Sequence, residues 1–173
     1  MQRPRRPGKL TAVALVALVI VVAGTGVLAY ISRTGPAYRT PVACSLLTQA
    51  QVDAYVPGAV PGDDGDGYYC PWAATGGTGR LTVAVEVLPG ERPRVGAAES
   101  RYGVRRRQAG TTVRKLSLGD ESFMACVSQG CRSCTRVSNV VFTLELRGGA
   151  RDPASSVRAL TAQAVRHMRG LRG

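Results

Sequence analysis

Histidine is almost missing from this chain: His167 is the only one in 173 residues. No G-x-S-x-G and no H-E-x-x-H string occurs. The first hydrolase class needs an elbow serine with an imidazole base, the second a helical pair of imidazole zinc ligands, so both are excluded. Acid is scarce as well, with 11 Asp and Glu against 23 Lys and Arg, and all 11 acids lie beyond residue 31. Charge of either sign is absent from "LTAVALVALVIVVAGTGVLAYI", residues 10 to 31.

That uncharged run is long enough to matter. A bilayer core of about 30 Å is crossed by roughly 20 apolar residues in a helix. A buried core helix is seldom apolar all round for so long. The rival is a cleavable signal peptide, because Val27 and Ala29 resemble a small-residue cleavage site, yet signal cores usually stop at about 7–15 residues. The run is therefore expected to be an uncleaved anchor. "MQRPRRPGK" before it carries Arg3, Arg5, Arg6 and Lys9. The positive-inside rule then keeps the N-terminus in the cytoplasm and exports the chain beyond Ile31. The expected organisation is a basic cytoplasmic tail at 1–9, a transmembrane anchor at 10–31, a linker at 32–41 and an exported domain at 42–173. The protein would be a single-pass protein of the cell membrane. Its linker, "SRTGPAYRTP", has two prolines, a glycine and no hydrophobic period.

Beyond the span, 19 cations face 11 acids, a net of +8. Export argues against nucleic acid as the partner. Anionic lipid headgroups or cell-wall polymers would feel the same field. The one cluster is Arg105, Arg106 and Arg107, a candidate for engaging phosphate or carboxylate, with a solvated helix end as the alternative.

The pattern of the exported part alternates helices and runs of strands. In "LLTQAQVDAYVPG", Thr48 and Gln51 form a capping-box pattern, Leu47 and Val52 a hydrophobic staple, and Pro57-Gly58 a stop. "YYCPWAA" reads as a short strand. "LTVAVEV" alternates, with Leu81, Val83, Val85 and Val87 on one face and Thr82, Ala84 and Glu86 on the other. "PRVGAAESRYGVRRRQAG" keeps Val95, Ala98 and Tyr102 at helical spacing, against the cost of Gly96 and Gly103. Strands are expected around Phe123–Val127, Cys134–Val137 and Val140–Leu146, the last two joined by a Ser138-Asn139 turn, with Val140, Phe142, Leu144 and Leu146 inward. A final helix has Asp152 as its cap and Pro153 in its first turn. Val157, Leu160, Ala164, Val165, Met168 and Leu171 make its apolar stripe, opposite Arg158, Arg166 and Arg169. The expected fold class is α+β: one exported domain in which an antiparallel sheet packs with about three helices.

Five cysteines in an exported chain imply two disulfides with one thiol left over, among fifteen pairings. A Cys44–Cys70 bridge would pin the first helix to the first strand. In "CVSQGCRSC", Cys126 and Cys134 are equidistant from Gly130, and a symmetric hairpin would make them cross-strand partners, leaving Cys131 free or exchanging. The rival pairing is Cys126 with Cys131. Cys131-Arg132-Ser133-Cys134 has thioredoxin-like spacing, but it leads into strand sequence rather than a helix that would stabilise a thiolate. Zinc would need a fourth ligand, and no metal or cofactor is expected. "DDGDG" lacks the later calcium-loop ligands: Tyr68 and Thr75 occupy those positions. Asp120 and Glu121, being neighbours in the chain, do not face each other across a substrate as paired glycosidase carboxylates do.

Four segments, "PVACSLLTQAQVDAYV", "YYCPWAA", "LTVAVEV" and "LSLGDESFMA", together resemble the actinobacterial envelope family known as domain of unknown function 3558. The resemblance spans most of residues 41 to 173, with Cys-Ser-Leu-Leu-Thr, Cys-x-Trp and Leu-Gly-Asp-Glu-x-Phe its most specific pieces. It implies a bridge between Cys44 and Cys70. It also implies an α+β fold with a ligand cleft, similar to extracytoplasmic sensor domains of receptor kinases, and it supplies no catalytic residue. Many members are lipoproteins; here Cys44 stands 13 residues beyond Ile31, too far from the apolar run to be lipidated. The expected role is non-enzymatic: a membrane-anchored extracytoplasmic domain that binds a small molecule, an anionic envelope polymer or an envelope protein. The alternative is a thiol-disulfide redox or envelope-stress enzyme using Cys131 and Cys134.

Overall fold

Alternation of apolar and polar residues runs through 80–87 and 140–147, and those two runs pair at the centre of one antiparallel sheet. The computed structural model describes residues 42–62, 66–77, 79–87, 94–109 and 112–171. The anchor expected at 10–31, the linker at 32–41 and the acids Asp63 and Asp64 lie outside these residues. Among the described residues no helix is long and apolar enough to cross a membrane.

In chain order there are a 3-10 turn (Ala43–Leu46), α1 (Gln49–Asp53), β1 (Ala59–Pro61), β2 (Tyr69–Ala74), β3 (Arg80–Val87), α2 (Arg94–Gln108), β4 (Val113–Lys115), β5 (Glu121–Val127), β6 (Gly130–Val137), β7 (Val140–Arg147) and α3 (Pro153–Gly170). The sheet runs β1-β2-β3-β7-β6-β5-β4, every neighbour antiparallel. It consists of two meanders joined along β3 and β7, with α2 carrying the chain from one meander to the start of the other. The α+β class and the antiparallel sheet with three helices agree with the sequence pattern. The three-residue strands β1 and β4, one at each edge, have no periodicity to announce them. Pro61 ends β1 on an edge, where a missing N–H costs no ladder bond.

The helix ends obey local chemistry. Thr48 accepts from the Gln51 amide while Gln51 Oε1 accepts from the Thr48 amide, a complete capping box. Asp152 accepts from the amides of Ala154 and Ser155, and Pro153 opens α3. Val157, Leu160, Ala164, Val165 and Met168 are buried as their spacing predicts, but Leu171 is 49 % exposed, one turn too late to reach the sheet.

The two faces of the sheet have unequal cover. Under α3 and the 3-10 turn lies the main core: Leu81, Val83 and Val85 of β3, Phe142, Leu144 and Leu146 of β7, with Cys70, Trp72 and Met124 beside them. Each such side chain, fully buried, contributes about 1.5–3 kcal/mol of transfer free energy. One polar bond crosses this core, where Ser133 Oγ meets Thr161 Oγ1 at 2.6 Å and Thr161 in turn donates to the Val157 carbonyl. On the other face α2 buries a much smaller group: Ala98 and Tyr102 against Phe123, Cys134 and Val141. The Tyr102 and Phe123 rings meet at 5.6 Å, tilted by 56°. The side chains of Val87 and Val95, also expected inward, lie outside those described.

The cysteine pattern requires a correction. The structure joins Cys44 to Cys70 and Cys126 to Cys131, and it leaves Cys134 free and buried. The expected Cys126–Cys134 bridge, with Cys131 as the odd thiol, is not formed. That bridge requires a turn centred on Gly130. The turn is instead Ser128-Gln129, and Gly130 is already in β6 opposite Val127. That register sets Cys126 directly opposite Cys131. Cys134, three positions along a strand of period two, points to the other face.

Candidate functional site

Helix α2 covers only part of its face of the sheet, and the uncovered part forms a cleft of about 470 Å³. Its floor is the polar side of the same alternation that builds the core. The strand register orders it in three rows. Ala84, Thr143 and Cys134 stand abreast on β3, β7 and β6; then Thr82, Glu145 and Arg132; then Arg80, Arg147 and Gly130. Tyr69 from β2 and Arg105, Gln108 and Ala109 from the C-terminal end of α2 complete the wall.

Glycine at 130 leaves the last row without a third side chain, and a Cβ there would stand 2.1 Å from the Leu146 carbonyl oxygen. The dominant sign of the cleft is positive, with Arg80, Arg105, Arg132 and Arg147 against Glu145. Arg132 Nε donates to Glu145 Oε2 at 2.8 Å, and Arg147 Nε donates to the other oxygen, Oε1. Burial alone would raise the Glu145 carboxyl, but these two guanidinium groups outweigh it and hold the group below its ordinary 4.5. Arg80 stands directly opposite Arg147, and among the described residues no carboxylate lies within ion-pair distance of it.

Of the three arginines singled out by sequence, only Arg105 lines this cleft. It lies 3.6 Å from Glu86, whose carboxylate is engaged more closely by Arg101 at 2.6 Å. Arg106 borders a separate hollow of about 370 Å³ beside residues 113–123. Arg107 is exposed. Consecutive helical residues point about 100° apart, so the cluster in sequence is no cluster in space.

Cys134 forms part of the floor. Burial pushes its thiol up to about 11, against a smaller opposing effect of a hydrogen bond with Thr143. A protonated thiol at 2 % exposure is a poor nucleophile. Cys131 is bonded to Cys126 on the far face, so the structure does not bring Cys131 and Cys134 together as a pair.

The segment "LSLGDESFMA" has a structural task at almost every position. Gly119 has φ +63°, and a Cβ there would come within 2.6 Å of the Arg136 carbonyl. Asp120 Oδ2 accepts from the Ser138 amide at 2.6 Å, which holds the β6–β7 turn where Ser138 adopts φ +54°. Glu121 accepts from Arg136 Nε at 2.7 Å, and Asp120 and Glu99 stand 3.4 and 3.7 Å from the same guanidinium. Ser122 donates to the Leu116 carbonyl and accepts from the Leu118 amide, closing the loop on itself. The two adjacent carboxylates thus compensate a buried arginine, 7 % exposed.

Asp66, the described remnant of the acidic loop, accepts from the Tyr68 amide, and His167 lies exposed in the last turn of α3. Among the described residues no three His, Cys, Asp or Glu side chains are grouped to hold a metal. Sequence reasoning missed Arg80, Arg132, Thr143, Glu145 and Arg147. Their only signal is the polar phase of "RLTVAVEV" and "VVFTLELR", which reads the same whether that face meets solvent or lines a cleft. Comparison with protein-family models, with curated proteins and with solved structures finds no match to this chain.

Proposed function

We propose that this chain is a membrane-tethered domain, held outside the cytoplasm, that binds a small molecule in the cleft on the open half of its sheet and catalyses no reaction. The observation that carries the reading is the cleft itself: about 470 Å³, walled by α2 and Tyr69, floored by a rigid antiparallel sheet. That volume suits a small molecule. The floor offers hydroxyls and guanidinium groups for orientation, while burial favours the protonated form of its one thiol and its one carboxylate, Glu145, is engaged by Arg132 and Arg147. Two disulfides suit an oxidising compartment, in keeping with the apolar run and basic tail of the sequence. The resemblance to the domain of unknown function 3558 family supports the same role.

The test is binding by the full chain in lipid nanodiscs, followed by amide and side-chain NMR during titration with a library of small metabolites. Shifts confined to Tyr69, Arg80, Thr143 and the end of α2 are expected for at least one compound class. A library that perturbs only α3, or nothing, would dismiss the cleft as the binding element.

A further inference from the structure

We infer that the ligand of the cleft is a small acid carrying at least two anionic oxygens of carboxylate or phosphate type, and that Glu145 occupies part of its arginine cradle until it arrives. This rests on the reading of the cleft as the binding element and adds the chemistry of what enters.

The register is the basis. Like charges directly opposite on antiparallel strands are unfavourable, yet Arg80 faces Arg147 across β3 and β7. One position back along both strands' polar faces, Arg132 faces Glu145 across β6 and β7. Three guanidinium groups and a single carboxylate therefore share two adjacent rows, two of the three engaging that carboxylate, while Arg105 lines the cleft from α2 beside Glu86. Arg132 and Arg147 both spend donors on Glu145. Arg80 spends none on a described carboxylate. A guanidinium presents five donors in a planar fork that fits two oxygens of one acid group. A ligand acid seated between Arg80 and Arg147 would relieve their mutual repulsion and satisfy both forks. A second acid group would compete with the Glu145 carboxylate for Arg132. The Thr82 and Thr143 hydroxyls line the same cleft for neutral parts of the ligand.

The arrangement does not suit a cation, which would meet four guanidinium groups and one carboxylate already engaged. A neutral sugar would leave the Arg80–Arg147 repulsion in place.

The experiment uses the full chain in nanodiscs of neutral lipid, at constant ionic strength because exposed charges are screened by salt. Citrate, glycerol phosphate and uncharged glycerol are the probes, followed by calorimetry and by the shifts of cleft residues. Citrate or glycerol phosphate should bind and glycerol should not; which of the two binds more tightly separates carboxylate from phosphate as the preferred group. Replacing Arg80→Gln should weaken binding about tenfold. Glu145→Gln should tighten it several-fold, a gain that misfolding cannot imitate, and Arg166→Gln, exposed on α3 across the sheet, should leave it unchanged. Weaker binding on Glu145→Gln, or uncharged compounds seated in the cleft while both acids fail, would overturn the inference and leave the cleft a binding site. Silence of the cleft residues toward every compound tried would overturn both.

Discussion

Cys134 sits between Phe123 and Thr143 on the sheet, 2 % exposed, with its thiol pushed up to about 11 from an ordinary 9.0. The raised value fixes the sign of the linkage. Stability is fully present below pH 9, where both folded and unfolded chains keep the proton. It falls as pH rises toward 11, because only the unfolded thiol ionises. A shift of this size corresponds to about 3 kcal/mol. Denaturant titrations of the wild type and Cys134→Ala at pH 8 and 10.5 should show the wild type losing more stability over that interval; parallel losses would remove Cys134 as the cause. Gly130 makes a second residue-level test. Its missing Cβ would meet backbone, the Leu146 carbonyl at 2.1 Å, which no rotamer can avoid. Gly130→Ala should cost about 3 kcal/mol, the upper end of overpacking penalties, whereas Gly170→Ala, which meets nothing within 4 Å, should be neutral or better. Equal melting temperatures for the two variants would contradict the close approach of β6 to β7.

Among the elements, the two disulfides differ in what they close. Cys44–Cys70 ties the 3-10 turn to β2 across 26 positions, and Cys126–Cys131 ties the β5–β6 hairpin across 5. Chain-entropy estimates give about 3.5 kcal/mol for the first and about 2 for the second. The hairpin is also held by its own ladder, so its bridge restrains strands already paired. Paired serine replacements at 44 and 70 should therefore lower the melting temperature more than those at 126 and 131. Alkylation of the native, unreduced protein should spare all five cysteines; in denaturant one thiol, Cys134, should be labelled. Labelling of Cys131 there would restore the Cys126–Cys134 pairing.

For the molecule as a whole, the topology prediction stands on the flanks of the apolar run: four cations before it and no acid. An alkaline phosphatase fused after Gly173 should be active, since it folds only outside the cytoplasm, and residues 10–31 should hold the chain in the membrane fraction through an alkaline wash. Activity of a cytoplasmic reporter at the same place would reverse the orientation, and release by the wash would remove the anchor. The folded domain has a division of labour between faces. α3 and the 3-10 turn shield the apolar side of the sheet, and their cover allows the other side to stay polar and half open.

How far the sequence alone reaches is visible in particular residues. Local chemistry was enough for the Thr48–Gln51 capping box, the Asp152 cap, the Ser138-Asn139 turn and the inward rows of β3 and β7, because each depends on residues a few positions apart. The α+β class came from the order of those periods. What needed the tertiary structure was register. Moving the centre of the 126–134 hairpin from Gly130 to Ser128-Gln129 changes every partner by three positions, so the same three cysteines give a different bridge and a different free thiol. The cleft is a further step removed: Arg80, Arg132, Glu145 and Arg147 come from three strands, and they meet only because β7 is inserted between β3 and β6. Periodicity states that such residues share the polar side of a strand. Only the order of strands in space decides which of them become neighbours, since pairing across a sheet is set by the packing of the whole chain and not by any short stretch of it.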